Sequence, residues 1–550
     1  MSIENQNNVI EAPLADMSVV AGAGSGKTRT AIARVLSMLG QLPVRSKVVL
    51  LSFSNVAVNT FRRGLGQQNV DVERVTVSTF DSFFLQYVLG PYASRVMRCV
   101  DRPFLVLGEE PFLAGFRLVH GGRPFEITEL KVRWEGNQFH AYLGAHAVPW
   151  QQAQQAIERL GTVGAYTYDI GRYWVQRTLR ELPYLVDLLV RRYPQVIVDE
   201  AQDVGSMDWQ ILCLLRQRGA NLTLIGDPAQ AIFGFNGGNG QYLQAYIDAQ
   251  GIRHYSLGTN FRSVPGIVNC ANLLTGRNDA AARAPVPTHS GAFLVGYDPA
   301  NPRLVLDQFL GVVNPLGYTN EQVAIICRAN SLVGQVRGGA ASRGVGLVKK
   351  FIKAVDHRLA NEYHLAFREC VGIVGALLDP PLPRFRIIIE EADTVGAKQV
   401  QAKIWRFVCD HQNGLPDSRL DARAQWLPAL VQNVRALIES LSAHSLTFGA
   451  YAQRITIRDL EAGPVVLPRP TVRVDTVHQV KGESIDAVLY IATEAHATGM
   501  FGGAGTENGR IGYVALTRAK DLFWLAVPND ALVRLAPRAA GLGILRLPAN

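Results

Sequence analysis

Residues 21–28 read Ala21-Gly22-Ala23-Gly24-Ser25-Gly26-Lys27-Thr28, a glycine-rich stretch closed by Lys-Thr. That spacing lets backbone N–H groups turn inward around an anion. The lysine then reaches the β- and γ-phosphates of a nucleotide, and the threonine hydroxyl ligates Mg²⁺. The first position of the usual pattern is Ala21 rather than glycine. A second candidate is Val196-Ile197-Val198-Asp199-Glu200, an apolar run ending in two carboxylates. Asp199 suits the holding of Mg²⁺, and Glu200 the orientation or deprotonation of an attacking water. A third is Leu222-Thr223-Leu224-Ile225 leading into Gly226-Asp227-Pro228-Ala229-Gln230. Gln230, just past a strand end, is placed to touch a γ-phosphate. The bland readings are a chance glycine loop and two solvated strand ends, and three such elements in one chain argue against them.

The elements that must carry these residues are legible nearby. Met17-Ser18-Val19-Val20 is short, apolar and β-prone, and 29–40 has helical periodicity with Ile32, Val35, Leu36 and Leu39 on one face. The order strand, loop, helix is what a phosphate-binding loop requires.

Further motifs follow in order. Gln6 lies upstream of the loop. Then come Leu51-Ser52-Phe53-Ser54-Asn55 and Val77-Ser78-Thr79-Phe80-Asp81, DEAQD at 199–203 and GDPAQAIFGFNGG at 226–238. Asn260-Phe261-Arg262-Ser263, the 476–483 stretch TVHQVKGE and the 513–519 stretch YVALTRA complete the set. Together these resemble the UvrD/Rep-like DNA helicases of superfamily one, almost end to end. The resemblance implies an ATP site in which Gln6 reads the adenine edge and Phe261 and Arg29 sandwich its ring. It further implies that Arg262 and Arg518 act as arginine fingers and that Gly482 belongs to the nucleotide site. Glu483 stands one residue closer to Gly482 than the family's usual glutamate, which leaves its role open.

The resemblance also implies a track for single-stranded DNA, with Phe53, Thr79, Phe233, Phe235 and His478 as contacts. Bases stack on such aromatic faces inside a positive groove. Phe235 and Phe233 replace a usual Trp and Tyr, Asn236 a usual Arg, and Asp81 a common His. These changes keep stacking but weaken phosphate attraction.

Laid onto the motif spacing, the resemblance implies an α/β fold: two RecA-like P-loop domains, each with an inserted subdomain. Residues 1–84 and 190–256 form the first motor domain, and 85–189 its insertion. The latter reads as short strands at 98–100, 104–107, 116–119 and 125–134, then turns helical from about 149. Arg172, Arg177, Arg180, Arg191 and Arg192 read as a solvated basic helix face. Residues 257–340 and 466–550 form the second motor domain, with 323–328 a buried strand. The 341–465 insertion is helical at 363–378, 397–411 and 422–443, interrupted by Pro380-Pro381-Leu382-Pro383, and abridged relative to large family members.

A net charge of +9 and a pI near 9.3 suit a polyanionic partner, while 18% charged residues imply a localised basic surface. The six cysteines form no CxxC pair, which disfavours a zinc site or disulfide framework and fits a reducing cytoplasm. No signal peptide and no 18-residue apolar run is present, so no membrane contact is expected. Glu129-Leu130-Lys131 has the spacing of a metal-dependent nuclease, but an exposed strand face is the simpler reading.

The function expected is ATP-dependent translocation on single-stranded or tailed duplex DNA, with ATP and Mg²⁺, in the family's 3′ to 5′ direction. Long duplexes should be unwound poorly by the lone chain. Two rivals stay open. One is a non-motor P-loop enzyme such as a kinase. The other is a DNA-sensing ATPase subunit that regulates a separate nuclease, because compact UvrD-like proteins of this size resemble subunits of anti-phage systems such as Gabija.

Overall fold

Runs of aliphatic and β-branched residues, each closed by a small or acidic residue, organise the chain around two parallel sheets. The computed structural model describes residues 2–68, 72–108, 110–144, 146–232, 240–285, 290–337, 346–380, 394–443, 446–449 and 472–547, with the single residues 234, 238, 382, 385, 389, 455 and 465.

In the first sheet the strands lie in the order Arg253–Leu257, Met17–Ala21, Asn221–Gly226, Gln195–Val198, Val48–Ser52, Val75–Thr79, all parallel. Val48–Ser52 is buried at every position, as a strand covered on both faces must be. Its side chains alternate between two cores. Val48 and Leu50 join Ala31, Val35 and Phe61 of the helices Lys27–Gln41 and Asn55–Gly66, while Val49 and Leu51 face the opposite side.

That opposite side is shared with the first insertion. One continuous core runs from Leu51, Val196 and Val198 through Phe80 and Phe84 to Leu130, Val132, Tyr173 and Trp174. The insertion therefore does not hang from a linker. A helical run from Phe80 to Met97 leads into it without a break. Residues 98–100 are not a strand, contrary to expectation: Arg98 is the left-handed C-cap of that helix, at φ 58°. The β-rich portion is real but larger than foreseen. Leu130–Glu135, Gln138–Leu143 and His146–Val148 form an antiparallel three-stranded sheet, and Leu118–His120 pairs with Arg123–Phe125.

The second sheet is again all parallel, in the order Arg473–Thr476, Val323–Cys327, Ile485–Ile491, Ala519–Pro528, Gly291–Tyr297, Leu545–Arg546. Helices cover both faces, with Pro265–Thr275 and Glu507–Leu516 on one side and Arg303–Val313 on the other. The helical insertion has a separate core. Gly346–Leu359, Tyr363–Leu377, Val395–Cys409 and Leu427–Ser442 bury Phe351, Ile404, Trp426 and Leu430 among themselves.

Arg34 fastens the start of the chain to this frame. Fully buried on the Lys27–Gln41 helix, it donates to the carbonyls of Ile10 (3.1 Å), Ala12 and Pro13 (2.9 Å) at the end of the Ser2–Ile10 helix. Arg34→Met leaves three acceptors without their donor. It should destabilise the chain by about 1–3 kcal/mol, the cost of stranding buried polar groups. Urea unfolding with hydrogen exchange over residues 2–13 checks this, and unchanged exchange there would refute the anchoring role.

Candidate nucleotide site and nucleic-acid face

The Met17–Ala21 strand is central in its sheet and runs directly into the glycine loop, and Lys27 opens the helix behind it. Gly24 (φ 71°) and Gly26 (φ 80°) occupy the left-handed region, where a side chain would be strained. The loop thus turns back over the helix N-terminus, secured by Ser25 Oγ donating to Gly22 O at 2.8 Å. The first N–H groups of a helix lack intrahelical acceptors and sit at its positive end, which makes this position an anion site. Lys27 and Thr28 occupy the first turn, and Arg29 is exposed beside them.

Asp199 and Glu200 follow the buried Gln195–Val198 strand, next in the sheet to the strand that ends at Gly226. Glu200 has φ 54°, a costly conformation for a residue with a side chain and one often kept at working sites. Lys27 Nζ lies 3.8 Å from Glu200 Oε1, and Gln202 also donates to this carboxylate. Burial opposes ionisation of Glu200, but Lys27, Lys481, Gln202 and Arg518 outweigh it and hold the group at about 2. Burial and the adjacent Glu200 push Asp199 the other way, to about 7. Asp199 Oδ1 is buried without a hydrogen-bond partner, the kind of oxygen a divalent cation completes. Among the described residues no group of three or more His, Cys, Asp and Glu side chains converges to hold a metal. Mg²⁺ takes one or two protein ligands and completes its octahedron with phosphate oxygens and water. Asp199 and Thr28 are the residues that would hold it.

The second sheet unit meets this edge directly. Asn260 Nδ2 donates to Ala23 O at 2.9 Å, and the Phe261 N–H to Gly24 O at 2.8 Å. Gln6 Nε2 donates to Ser25 O at 3.3 Å. Around Gly26, the side chains of Gln6 and Phe261 come within 3.0 and 3.8 Å of where a Cβ would stand, so these two residues share one corner. Phe261 is 41% exposed, leaving its ring free to cover a planar ligand.

Arg518 is buried, donating through Nη2 to Gln230 Oε1 at 3.2 Å and through Nη1 to Glu483 O at 3.2 Å. Arg262 Nη1 donates to Thr517 O at 3.0 Å. Burial and the neighbouring Arg518 push Arg262 down to about 9. Two guanidinium groups thus lie within electrostatic reach of one another, with Glu200 acting on both and Asp227 and Glu483 on Arg518. Gly482 (φ 89°) turns the chain between Lys481, ion-paired with Asp203 from the first sheet unit, and Glu483. The Glu483 carboxylate is taken by Arg473 at 2.6 and 2.9 Å.

Of the residues expected on a nucleic-acid track, Phe53 stacks on Phe80 (5.7 Å, 11° between ring planes) and is partly buried. Thr79 Oγ1 accepts from Ser82 N at 3.2 Å and caps the following helix. His478 Nε2 faces Ile232 O at 3.2 Å. Phe233, Phe235 and Asn236 lie outside the described residues. The expected basic face needs correction: Arg172 is not solvated. It forms ion pairs with Asp81 (3.1 Å) and Asp208 (2.9 Å), joining the insertion to the first sheet, and Arg177 pairs with Glu158 and Glu181. The helix bearing these arginines is also two helices, Tyr168–Glu181 and Tyr184–Arg192, separated at Pro183.

The sequence reading passed over several residues of this cleft. Asp227 is 1% exposed and accepts from Tyr513 Oη (3.0 Å), Gln230 Nε2 (2.9 Å) and Arg277 Nη1 (3.3 Å). Asp227 and Tyr513 stand inside quoted motifs and were findable. Arg277 stands in none.

The profile of the UvrD/REP helicase N-terminal domain matches residues 3–111 and 151–249. The unmatched 112–150 is the segment that carries most of the antiparallel strands of the first insertion. The chain is 24% identical over 286 residues to the putative ATP-dependent DNA helicase YjcD of Bacillus subtilis, covering 47% of this chain and 36% of that protein. It is 24% identical over 307 residues to DNA helicase II of Escherichia coli, covering 50% and 40%. It is 23% identical over 292 residues to the ATP-dependent DNA helicase Rep of Escherichia coli, covering 50% and 43%. The aligned region spans about two fifths of each relative's own length. Among the described residues, no helix is long and apolar enough to cross a membrane. In its ordered motifs and in these matches, which cover half of the chain or less, the chain is similar to the UvrD/Rep-like helicases.

Proposed function

We propose that this chain hydrolyses ATP between two RecA-like motor domains and uses the cycle to translocate on single-stranded DNA, 3′ to 5′. The observation that carries this reading is the convergence in one cleft of Lys27, Glu200 and Gln230 from the first sheet with Arg262 and Arg518 from the second. A γ-phosphate bound against Lys27 adds negative charge beside the repelling arginine pair. Gln6, Phe261 and Arg29 hold the base. Glu200, kept ionised by its cationic neighbours, accepts a proton from the attacking water, and Gln230 couples the γ-phosphate to Arg518. Mg²⁺, held by Thr28 and Asp199, would neutralise phosphate charge. Because the DNA-facing segments belong to both domains, closing and reopening the cleft moves one along the strand relative to the other.

The test is steady-state hydrolysis with and without single-stranded DNA across a salt series. Turnover should rise sharply with DNA and lose that rise as salt increases, because phosphate contacts release counterions. Strand displacement on 3′- and 5′-tailed duplexes then reads direction, and the lone chain should open long duplexes poorly. Turnover indifferent to DNA at every salt concentration would overturn the translocase reading while leaving the ATPase standing.

A further inference from the structure

Arg277 joins the two sheet units at a point that neither the motifs nor the matched family segment covers. It follows Gly276 (φ 68°), which ends the Pro265–Thr275 helix, and its loop is clamped back on that helix. Asn272 makes the clamp, its side-chain amide donating to Asp279 O at 2.9 Å and accepting from Asp279 N at 3.0 Å. The next residues, Ala280–Ala281, pair in parallel with Thr259–Asn260. One small ribbon therefore leads from Thr259–Asn260 into Phe261 and Arg262 on one side and is entered from Arg277 on the other.

From this braced position the guanidinium bridges two carboxylates. Nη2 lies 3.1 Å from Asp279 Oδ2 on its own unit, and Nη1 lies 3.3 Å from Asp227 Oδ1 across the cleft. It also lies against the phosphate-binding loop. A Cβ on Gly22 would stand 2.6 Å from Arg277 Nη2 and 2.7 Å from Asp279 Oδ2, so a side chain there would push the ends of both aside. Asp227 in turn receives Gln230, whose Oε1 receives Arg518. With Arg277 present, the buried Asp227 carboxylate has its own cation. Asp227 also lies within electrostatic reach of Arg518, so without Arg277 its unneutralised charge would act on that guanidinium.

We propose that Arg277 is a positioning residue: a latch that docks the second sheet unit on Gly22 and Asp227 and, by neutralising Asp227, leaves Arg518 aimed at Gln230 and the nucleotide. The proposal rests on the ATPase reading above for its kinetic consequence, but not for its structural one.

Arg277→Met should lower kcat by roughly tenfold to a hundredfold, as expected when a catalytic group is displaced by about 1 Å. The Kd of a non-hydrolysable ATP analogue should stay within about twofold. Arg277→Lys should keep most of the rate. Neutralising the orphaned carboxylate in Arg277→Met/Asp227→Asn should restore part of it, which no merely structural loss would allow. Wild-type kcat in Arg277→Met, a matching loss of analogue affinity, or no recovery in the double variant would each overturn the latch. Hydrogen exchange on the nucleotide-free chain decides independently of turnover. Arg277→Met should speed exchange over 20–26 and 226–230, and unchanged exchange there overturns the proposal. If the wild-type chain hydrolyses no ATP, the proposed function falls and the exchange result alone judges the latch.

Discussion

ATP turnover should fall by at least about a thousandfold in both Lys27→Ala and Glu200→Gln, with opposite effects on nucleotide binding. Lys27 stands 3.8 Å from Glu200 and is one of the cations that keep its carboxylate ionised despite burial. Removing the ammonium costs the site its phosphate contact, and Glu200 loses a partner at the same time. Analogue affinity should drop by tenfold or more. Glu200→Gln preserves shape, and the backbone already accommodates a side chain at φ 54°. It removes a carboxylate that competes with phosphate for Lys27, while Asp199 and Thr28 are untouched. Binding should hold or tighten while turnover disappears. Fluorescent-nucleotide titration and steady-state hydrolysis of the two variants separate these outcomes. Substantial turnover in Glu200→Gln would take away the role of base.

Both parallel sheets were readable because their signals are local. An apolar run ending in a glycine loop or a carboxylate pair is fixed by burial on both faces and by what a strand end must present, as at Met17–Ala21 and Gln195–Val198. The helices of the second insertion, from Tyr363, Val395 and Leu427, follow from 3–4 spacing in the same way. Other features were present in the pattern yet passed over. Phe139, Ala141 and Leu143 alternate along Gln138–Leu143, and Leu347, Phe351 and Val355 mark a helix.

What local pattern does not encode is the partner of a long charged side chain. Arg172 has helical neighbours like any solvated arginine, and only the packing of the insertion against Asp208 and Asp81 buries it. Arg34 and Arg277 are single arginines outside the readable motif roles, given meaning by carbonyls about twenty residues away and by a carboxylate 50 residues away. The strand expected at 98–100 failed for a related reason. The preceding helix continues through 85–97 because Val88, Leu89, Ala93 and Met97 find the insertion core, and Arg98 then serves as its cap.

Arg518→Ala and Arg262→Ala should each lower turnover by roughly a thousandfold or more while leaving analogue affinity within a few-fold. In the proposed mechanism both act on charge that develops in the transition state, so little is lost on binding the ground state. The structure separates the two variants in a second measurement. Arg518 is 1% exposed and supplies donors to Gln230 Oε1, Val514 O and Glu483 O, so its removal strands buried acceptors and should lower the thermal transition. Arg262 faces Arg518 as a like charge and is pushed down to about 9 by burial and that repulsion. Its removal relieves that repulsion and gives up one side-chain hydrogen bond, to Thr517 O, so the nucleotide-free chain should lose less stability than Arg518→Ala does. Differential scanning fluorimetry, run beside hydrolysis assays, reads both effects on one preparation. Loss of turnover without loss of stability in Arg262→Ala would identify a group held against its own electrostatics for the sake of the reaction. If both variants hydrolyse ATP near the wild-type rate, the two-domain cleft is not the catalytic centre of this chain.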